Sequence, residues 1–344
     1  MRASSPIYAL VVGLSLGCNR PATEPKPLQF PATQTQDTGD ARTVFGFTTV
    51  EGVEVDDGFG SALIAEDGLV WIGAPHGAQG RVYQWNDSGL TLAIEREGRT
   101  GSHLARTPSG PWIAAPLAAP STGKVIRPDG TPVETGEPAA GIALSSAGGG
   151  AYGFADGWSA ADGRSQTLPA RPAAIAEANG IIGAGMPFGP VAFSAESGII
   201  ERQASGDEAG FSLLAADIDG DGESEWLLGA PGAGRVTAHR STDLVTVKAW
   251  SGGGRFGSAI AACDLDRDGV DDLIVGAPLD GESGRIHWFR SFEETPVSLE
   301  LEWPKARGRG TALDCQDGAL LIGSPGDHAV HGRVERVQRT SDPS

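Results

Sequence analysis

Three copies of one pattern recur at a fixed interval in the last third of the chain. Gly229-Ala230-Pro231, Gly276-Ala277-Pro278 and Gly323-Ser324-Pro325 each stand 47 residues apart. Each closes a short apolar run: Trp226-Leu227-Leu228, Leu273-Ile274-Val275 and Leu320-Leu321-Ile322. A glycine-rich turn follows each, and then Gly-Arg or a close variant of it. A fixed period of about 40–50 residues is the signature of a stacked or radial array of supersecondary units. The architecture is therefore constrained before any single side chain is interpreted.

The unit is clearest at 256–304. Phe256 to Ala262 reads as a first strand and is followed by an acidic loop. Asp272 to Pro278 reads as a second strand and Gly284 to Arg290 as a third. Val297 to Trp303 alternates apolar and polar with period two, as a half-exposed outer strand does. Four short strands joined by tight turns make one blade of a β-propeller. The same order recurs upstream with decay. It opens at Gly210-Phe211, then before Ile181, then weakly over Gly141 to Leu168, then at Gly101-Ser102 and first at Phe59-Gly60. Seven units result, so the expected fold is all-β, a seven-bladed β-propeller.

The last unit ends after its third strand, near Arg333 to Gln338, while Arg42 to Val50 precedes the first unit with no blade of its own. The economical closure places this N-terminal strand on the seventh blade, which leaves no long free sheet edge at the seam. An open solenoid is the alternative. The expected organisation is an export signal over 1–17, a Pro/Thr-rich flexible tether over 18–41, a propeller over 42–338 and a disordered tail over 339–344.

Two loops carry carboxylates in phase with the repeat. One reads Asp217-Ile-Asp219-Gly-Asp221-Gly-Glu223-Ser-Glu225, the other Asp264-Leu-Asp266-Arg-Asp268-Gly-Val270-Asp-Asp272. Acids at positions 1, 3, 5 and 9, with Gly at 6 and a backbone carbonyl at 7 (Glu223, Val270), converge several hard oxygens on one point. Ca²⁺, which takes six to eight flexible oxygen ligands, suits such a set, so two calcium sites are expected. An EF-hand would need an acid at position 12 and flanking helices. Position 12 here is Leu228 or Val275, inside a strand. Solvated acidic turns are the bland alternative.

The Phe-Gly and Gly-Ala-Pro elements, with the acidic loops between them, resemble the FG-GAP repeats of the integrin alpha-chain propeller and its bacterial relatives. The resemblance covers about 42–338. It is good at units one, five and six, partial at two, four and seven, and poor at three. It implies calcium in the acidic loops and a partner on the face away from them. Strand alternation puts the turns after each Gly-Ala-Pro on that opposite face. The candidate ligand residues there are His76, Asp280, Glu282, Asp327, His328 and His331.

Composition narrows the partners. With 26 basic and 44 acidic residues the net charge is −18. Nucleic acid is disfavoured, because phosphate binding needs the opposite sign. Met1-Arg2 followed by an apolar Ile7 to Leu16 suits a cleaved export signal rather than a membrane span. Leu14-Ser15-Leu16-Gly17-Cys18 resembles the bacterial lipobox, with Ser15 where Leu is usual. That implies lipidation of Cys18 and a cell-envelope location, with membrane contact through the lipid anchor alone. Cys263 and Cys315 fall in corresponding strands of neighbouring units, and a disulfide between them is left open. No zinc spacing among the six histidines and no Gly-x-Ser-x-Gly occurs. Gly252-Gly-Gly254-Arg-Phe-Gly257 fits a dinucleotide fingerprint only formally, since a strand rather than a helix follows. The expected function is a monomeric binding or adhesion-like module for a protein or polysaccharide. A polysaccharide lyase or hydrolase on the same scaffold and a structural envelope protein are the alternatives.

Overall fold

In the computed structural model the described residues are 34–36, 43–118, 123–133, 137, 140–194, 199–200, 206–298, 307–326 and 331–339. The export signal, Cys18, Asp327 and His328 lie outside them. So do most of the linker and all of the tail beyond Arg339.

Seven antiparallel sheets follow one another along the chain. Blade 1 comprises Ala62–Glu66, Leu69–Ala74, Gly80–Asn86 and Gly89–Arg96. Blade 2 comprises Leu104–Ala105, Trp112–Ala115, Lys124–Ile126 and Pro132–Val133. Blade 3, the unit with the weakest motif, is complete: Ala143–Ser145, Ala151–Phe154, Gly157–Ala160 and Ser165–Thr167. Blade 4 has Ala174–Ala178, Ile181–Gly185, Val191–Phe193 and Ile199–Ile200. Blade 5 has Ser212–Ala216, Glu225–Ala230, Arg235–Arg240 and Thr246–Ser251. Blade 6 has Ala259–Cys263, Asp272–Ala277, Arg285–Phe289 and Val297–Ser298. The first strand of each blade neighbours the first strand of the next, and that of blade 7 neighbours that of blade 1, so the ring is closed.

Blade 7 is assembled from both ends of the fold. Ala312–Gln316, Ala319–Ser324 and His331–Arg339 are completed by Thr43–Val55. Phe45 pairs with Arg339 and the register runs unbroken to Glu51 and Arg333. Closure by the N-terminal strand is thus observed. One correction concerns the linker. Gln34–Gln36, placed by sequence in the tether, pairs with Thr43 to Phe45 as an outermost fifth strand. Period-two patterning cannot reveal so short an edge strand in a polar segment.

The repeated glycine has a packing cause. A Cβ built on Gly276 would lie 2.1 Å from the carbonyl oxygen of Gly310 in the next blade. The same clash is met by Gly229 against Gly257 at 2.2 Å, by Gly185 against Gly210 at 2.1 Å and by Gly73 against Gly101 at 2.0 Å. Gly323 of blade 7 meets Gly60 of blade 1 at 2.1 Å, so the same contact seals the ring. The Gly-Ala-Pro glycine and the Phe-Gly glycine are therefore two halves of one backbone-to-backbone contact between blades. Gly276→Ala has no flexible side chain to push aside. We expect it to destabilise by about 2–3 kcal/mol, in the range of overpacking changes, read as a fall in urea midpoint. An unchanged midpoint would show that the blades can separate at no cost.

Apolar side chains fill the spaces between sheets. Trp226, Trp288, Phe256 and Ile322 are fully buried. Between blades 6 and 7 a buried pair joins Arg309 Nε to Glu335 Oε2 at 2.8 Å. The Cys263 and Cys315 sulfurs are bonded, with Cα atoms 6.0 Å apart. They link the first strands of blades 6 and 7, which approach closely here although neighbouring blades diverge outward. Cross-linking residues 52 apart in sequence restricts the unfolded chain by about 4 kcal/mol in the chain-entropy picture. A Cys263→Ser, Cys315→Ser variant should accordingly lose most of that in equilibrium unfolding. An identical stability under oxidising conditions would argue against the bond.

Candidate functional site

The two ends of the strands carry different chemistry. At the end where first strands turn into second strands lie the acidic loops of blades 5 and 6. Carboxylate oxygens of Asp217, Asp219 and Glu225 lie within 4.8 Å of one another, and so do those of Asp264, Asp266 and Asp272. Backbone amides hold these groups in place. Gly222 N donates to Asp217 Oδ2 at 2.8 Å and Gly269 N to Asp264 Oδ2 at 3.0 Å. Ile218 N donates to Glu225 Oε2 at 3.3 Å and Leu265 N to Asp272 Oδ2 at 3.0 Å. Position 9 of each loop is the first residue of the second strand, which is why its acid is buried: Glu225 is 3% exposed and Asp272 0%.

That burial has an electrostatic consequence. The Glu225 carboxyl is pushed up to about 7 by burial first and by Asp219 next. Asp272 is pushed up to about 6 by burial and then by Asp266. A buried acid facing like charges resists ionisation, although amide donors oppose that effect in part, unless a cation joins it. The donor set is all hard oxygen, which fits Ca²⁺. Asp221 and Asp268, expected as ligands, are not in the convergent sets. Asp221 Oδ1 accepts from Glu223 N and Asp268 Oδ1 from Val270 N, so each shapes its own turn. Glu223 is exposed at position 7 and Val270 half-buried. The blade 6 loop also touches the ring seam: Arg339, at the end of the closing blade, donates to the Asp266 carbonyl.

At the opposite end the seven first strands surround a cavity of about 880 Å³. Every blade lines it with a large aliphatic residue of its first strand: Leu63, Leu104, Leu144, Ile175, Leu213, Ile260 and Leu313. Six of the seven stand three residues after the glycine that opens the unit; blade 4, which has Pro172 instead, keeps Ile175 in register. The rim is built from the residue after each motif proline. His76 follows Pro75, Leu117 follows Pro116 and Phe188 follows Pro187, and all three line the cavity. Phe188 is 83% exposed and Leu117 65%. Leu279, after Pro278, is exposed at the equivalent place.

Among the described residues the charged ones lining the cavity are Arg99, Arg171 and Glu208, beside His76 and His103. Glu208 is paired with Arg255 at 2.6 Å, and the Arg255 guanidinium lies 5.4 Å from the centre of the Phe211 ring. His103 is pushed down to about 4 by burial and by Arg99, so its imidazole is neutral at pH 7.

Of the expected ligand-face residues, His76 alone lines the cavity among those described. Asp280 is taken up by Arg285 at 3.0 Å and holds its own turn together. Glu282 is exposed in that turn, and His331, exposed at the start of the third strand of blade 7, does not line the cavity. Sequence reasoning missed Arg99, Leu117, Arg171 and Phe188. For Leu117 and Phe188 the signal existed, as the position after each motif proline. For the two arginines it did not, because they precede weak units.

Residues 256–287 match the FG-GAP repeat. No curated protein matches the sequence. Among solved structures, one titled "Streptogramin B lyase structure" is similar over 86% of this chain and 98% of its own, with a TM-score of 0.61 and 13% identity. At that identity the likeness shows the fold alone, and 456 solved chains share a match. The chain is a seven-bladed β-propeller that carries an FG-GAP repeat at residues 256–287.

Proposed function

We propose that the protein is a calcium-stabilised binding module, exported and held at the cell envelope by a lipid on Cys18, whose ligand face is the mouth opposite the calcium loops. The single observation that carries the ligand face is the make-up of that mouth. It is an aliphatic ring under exposed Phe188 and Leu117, in a cavity of about 880 Å³, within the usual size of ligand pockets. Exposed apolar side chains gathered at one concave place mark a binding surface. A hydrolase or lyase would instead gather several acids and bases around a reacting bond. Among the described residues the one carboxylate lining this mouth, Glu208, is occupied by Arg255. In this reading calcium fixes blades 5 and 6 and does not touch the ligand. Asp217, Asp219 and Glu225 would hold one ion, and Asp264, Asp266 and Asp272 the other. The position 7 carbonyls of Glu223 and Val270 are further candidate ligands.

The test separates the two ends. Leu117→Ser with Phe188→Ser should abolish capture of a partner from envelope proteins and polysaccharides by the immobilised protein, while calcium-dependent melting stays as in the wild type. Capture that survives this double change removes the mouth as the ligand face.

A further inference from the structure

The shortest second-to-third turn of the ring is that of blade 3. In that blade the second and third strands are joined by Ala155 and Asp156 alone, since Phe154 pairs with Gly157. The corresponding turn runs over 75–79 in blade 1, 116–123 in blade 2 and 186–190 in blade 4. Blade 3 gives the cavity only Ile142 and Leu144, from the start of its first strand; blades 5 and 6 likewise give it no residue of this turn, but theirs are longer, at 231–234 and 278–284. The decay of the repeat motif at this unit has a structural result, which is a low point in the wall.

The two flanks of the low point are alike. On the blade 2 side stand Arg99 and Leu117, and on the blade 4 side Arg171 and Phe188, all four lining the cavity. Among the described residues neither arginine has an ion-pair partner. Arg99 also holds a left-handed backbone, φ 60°, where a non-glycine residue is strained. The same conformation recurs at the equivalent place in blades 1, 5, 6 and 7, at Gly58, Glu208, Arg255 and Gly308. The chain as a whole carries −18, yet Glu208 is paired with Arg255 and, among the described residues, the two guanidinium groups at the mouth have no carboxylate against them. A guanidinium matches a carboxylate in charge and in planar geometry.

We infer that the notch over blade 3 admits a peptide segment in which an apolar side chain stands beside a carboxylate, the apolar group lodging against Leu117 and Phe188 and the carboxylate against Arg99 and Arg171. This rests on the mouth being the ligand face. Peptide is favoured over polysaccharide because the cavity wall is aliphatic. Sugars need many polar partners there, and Leu117 offers none.

The experiment uses calorimetric titration of the full chain, in calcium, with three probes: Ac-Leu-Phe-Glu-NH2, its neutral isostere Ac-Leu-Phe-Gln-NH2, and Ac-Gly-Gly-Glu-NH2. The Glu peptide should bind at least tenfold more tightly than the Gln peptide, and the glycine peptide should not bind. Arg99→Asn with Arg171→Gln should erase the Glu-to-Gln difference, Asn being chosen because it tolerates the left-handed backbone. Phe188→Ser should weaken both apolar peptides. Each variant is first matched to the wild type in calcium-dependent melting. Where the double variant does not fold, Arg171→Glu alone should give the same loss. Equal binding of the Glu and Gln peptides, lost in Phe188→Ser, would overturn the acidic ligand while keeping the mouth as a binding face. No heat from the Glu peptide at millimolar concentration, or binding of an oligogalacturonate that competes with it, would overturn the inference outright.

Discussion

Removing divalent ions with EDTA should lower the melting temperature of the protein by roughly 8–10 °C, and excess calcium should restore it. A ligand at about 100 times its dissociation constant stabilises the folded state by about 2.7 kcal/mol per site, so two sites give about 5 kcal/mol. With an unfolding entropy near 2 cal/mol/K per residue, a domain of this size converts that into the stated shift. Asp217→Asn and Asp264→Asn should each remove about half of it, since each disables one cluster. The pH dependence gives a second reading. Glu225 and Asp272 are raised in the folded state above their ordinary values of 4.5 and 3.8. Between about pH 4 and 7 the metal-free folded state therefore binds more protons than the unfolded chain. Its stability should fall as pH rises through that window. Calcium supplies the missing positive charge, so the loaded protein should lack this decline. A melt indifferent to EDTA at pH 7.5, with no metal found by mass spectrometry, would refute both calcium sites.

Deleting residues 1–56 should abolish the cooperative melt, whereas deleting 1–42 should cost little. The difference is the closing strand Thr43–Val55. Phe45 packs in the cluster between blades 6 and 7 with Trp288, Ile322 and Val337, and its ring meets that of Trp288 at 5.6 Å. Val50 packs in the cluster between blades 7 and 1 with Phe59 and Ile72. One strand thus holds both faces of the seam. Loss of the two side chains forfeits about 3–6 kcal/mol of burial. The unpaired ladder from Phe45 to Glu51 adds about 1 kcal/mol per hydrogen bond. The sum reaches the whole net stability of an ordinary domain. The shorter deletion removes only the outer Gln34–Gln36 pairing. Size-exclusion chromatography and near-UV circular dichroism would check the outcome. If the two truncations behave alike, the seam does not depend on this strand. A synthetic peptide of residues 43–55 added to the longer truncation should restore its near-UV signal.

Much of this was legible in the chain itself. The 47-residue period, the four-strand unit and the unpaired segment Arg42 to Val50 sufficed for seven blades and their closure. Repetition is a local property that survives without knowledge of contacts. The acidic loops were legible for the same reason, since carboxylates at positions 1, 3, 5 and 9 recur in phase with the blades. Tertiary structure decided the rest. Asp221 and Asp268 have the right spacing but fall outside the convergent sets, although Asp217, Asp219, Asp264 and Asp266 accept from loop amides as they do. Only the folded loop distinguishes them. Asp314 reads as a fragment of a third acidic loop, yet it is paired with Arg106 and accepts from the Ala65 amide, tying blade 7 to blades 1 and 2. The mouth was the least legible feature. Arg99, Leu117, Arg171 and Phe188 are far apart in sequence and share no motif with one another. They line one cavity because the ring brings blades 2 and 4 to either side of a blade whose turn is two residues long.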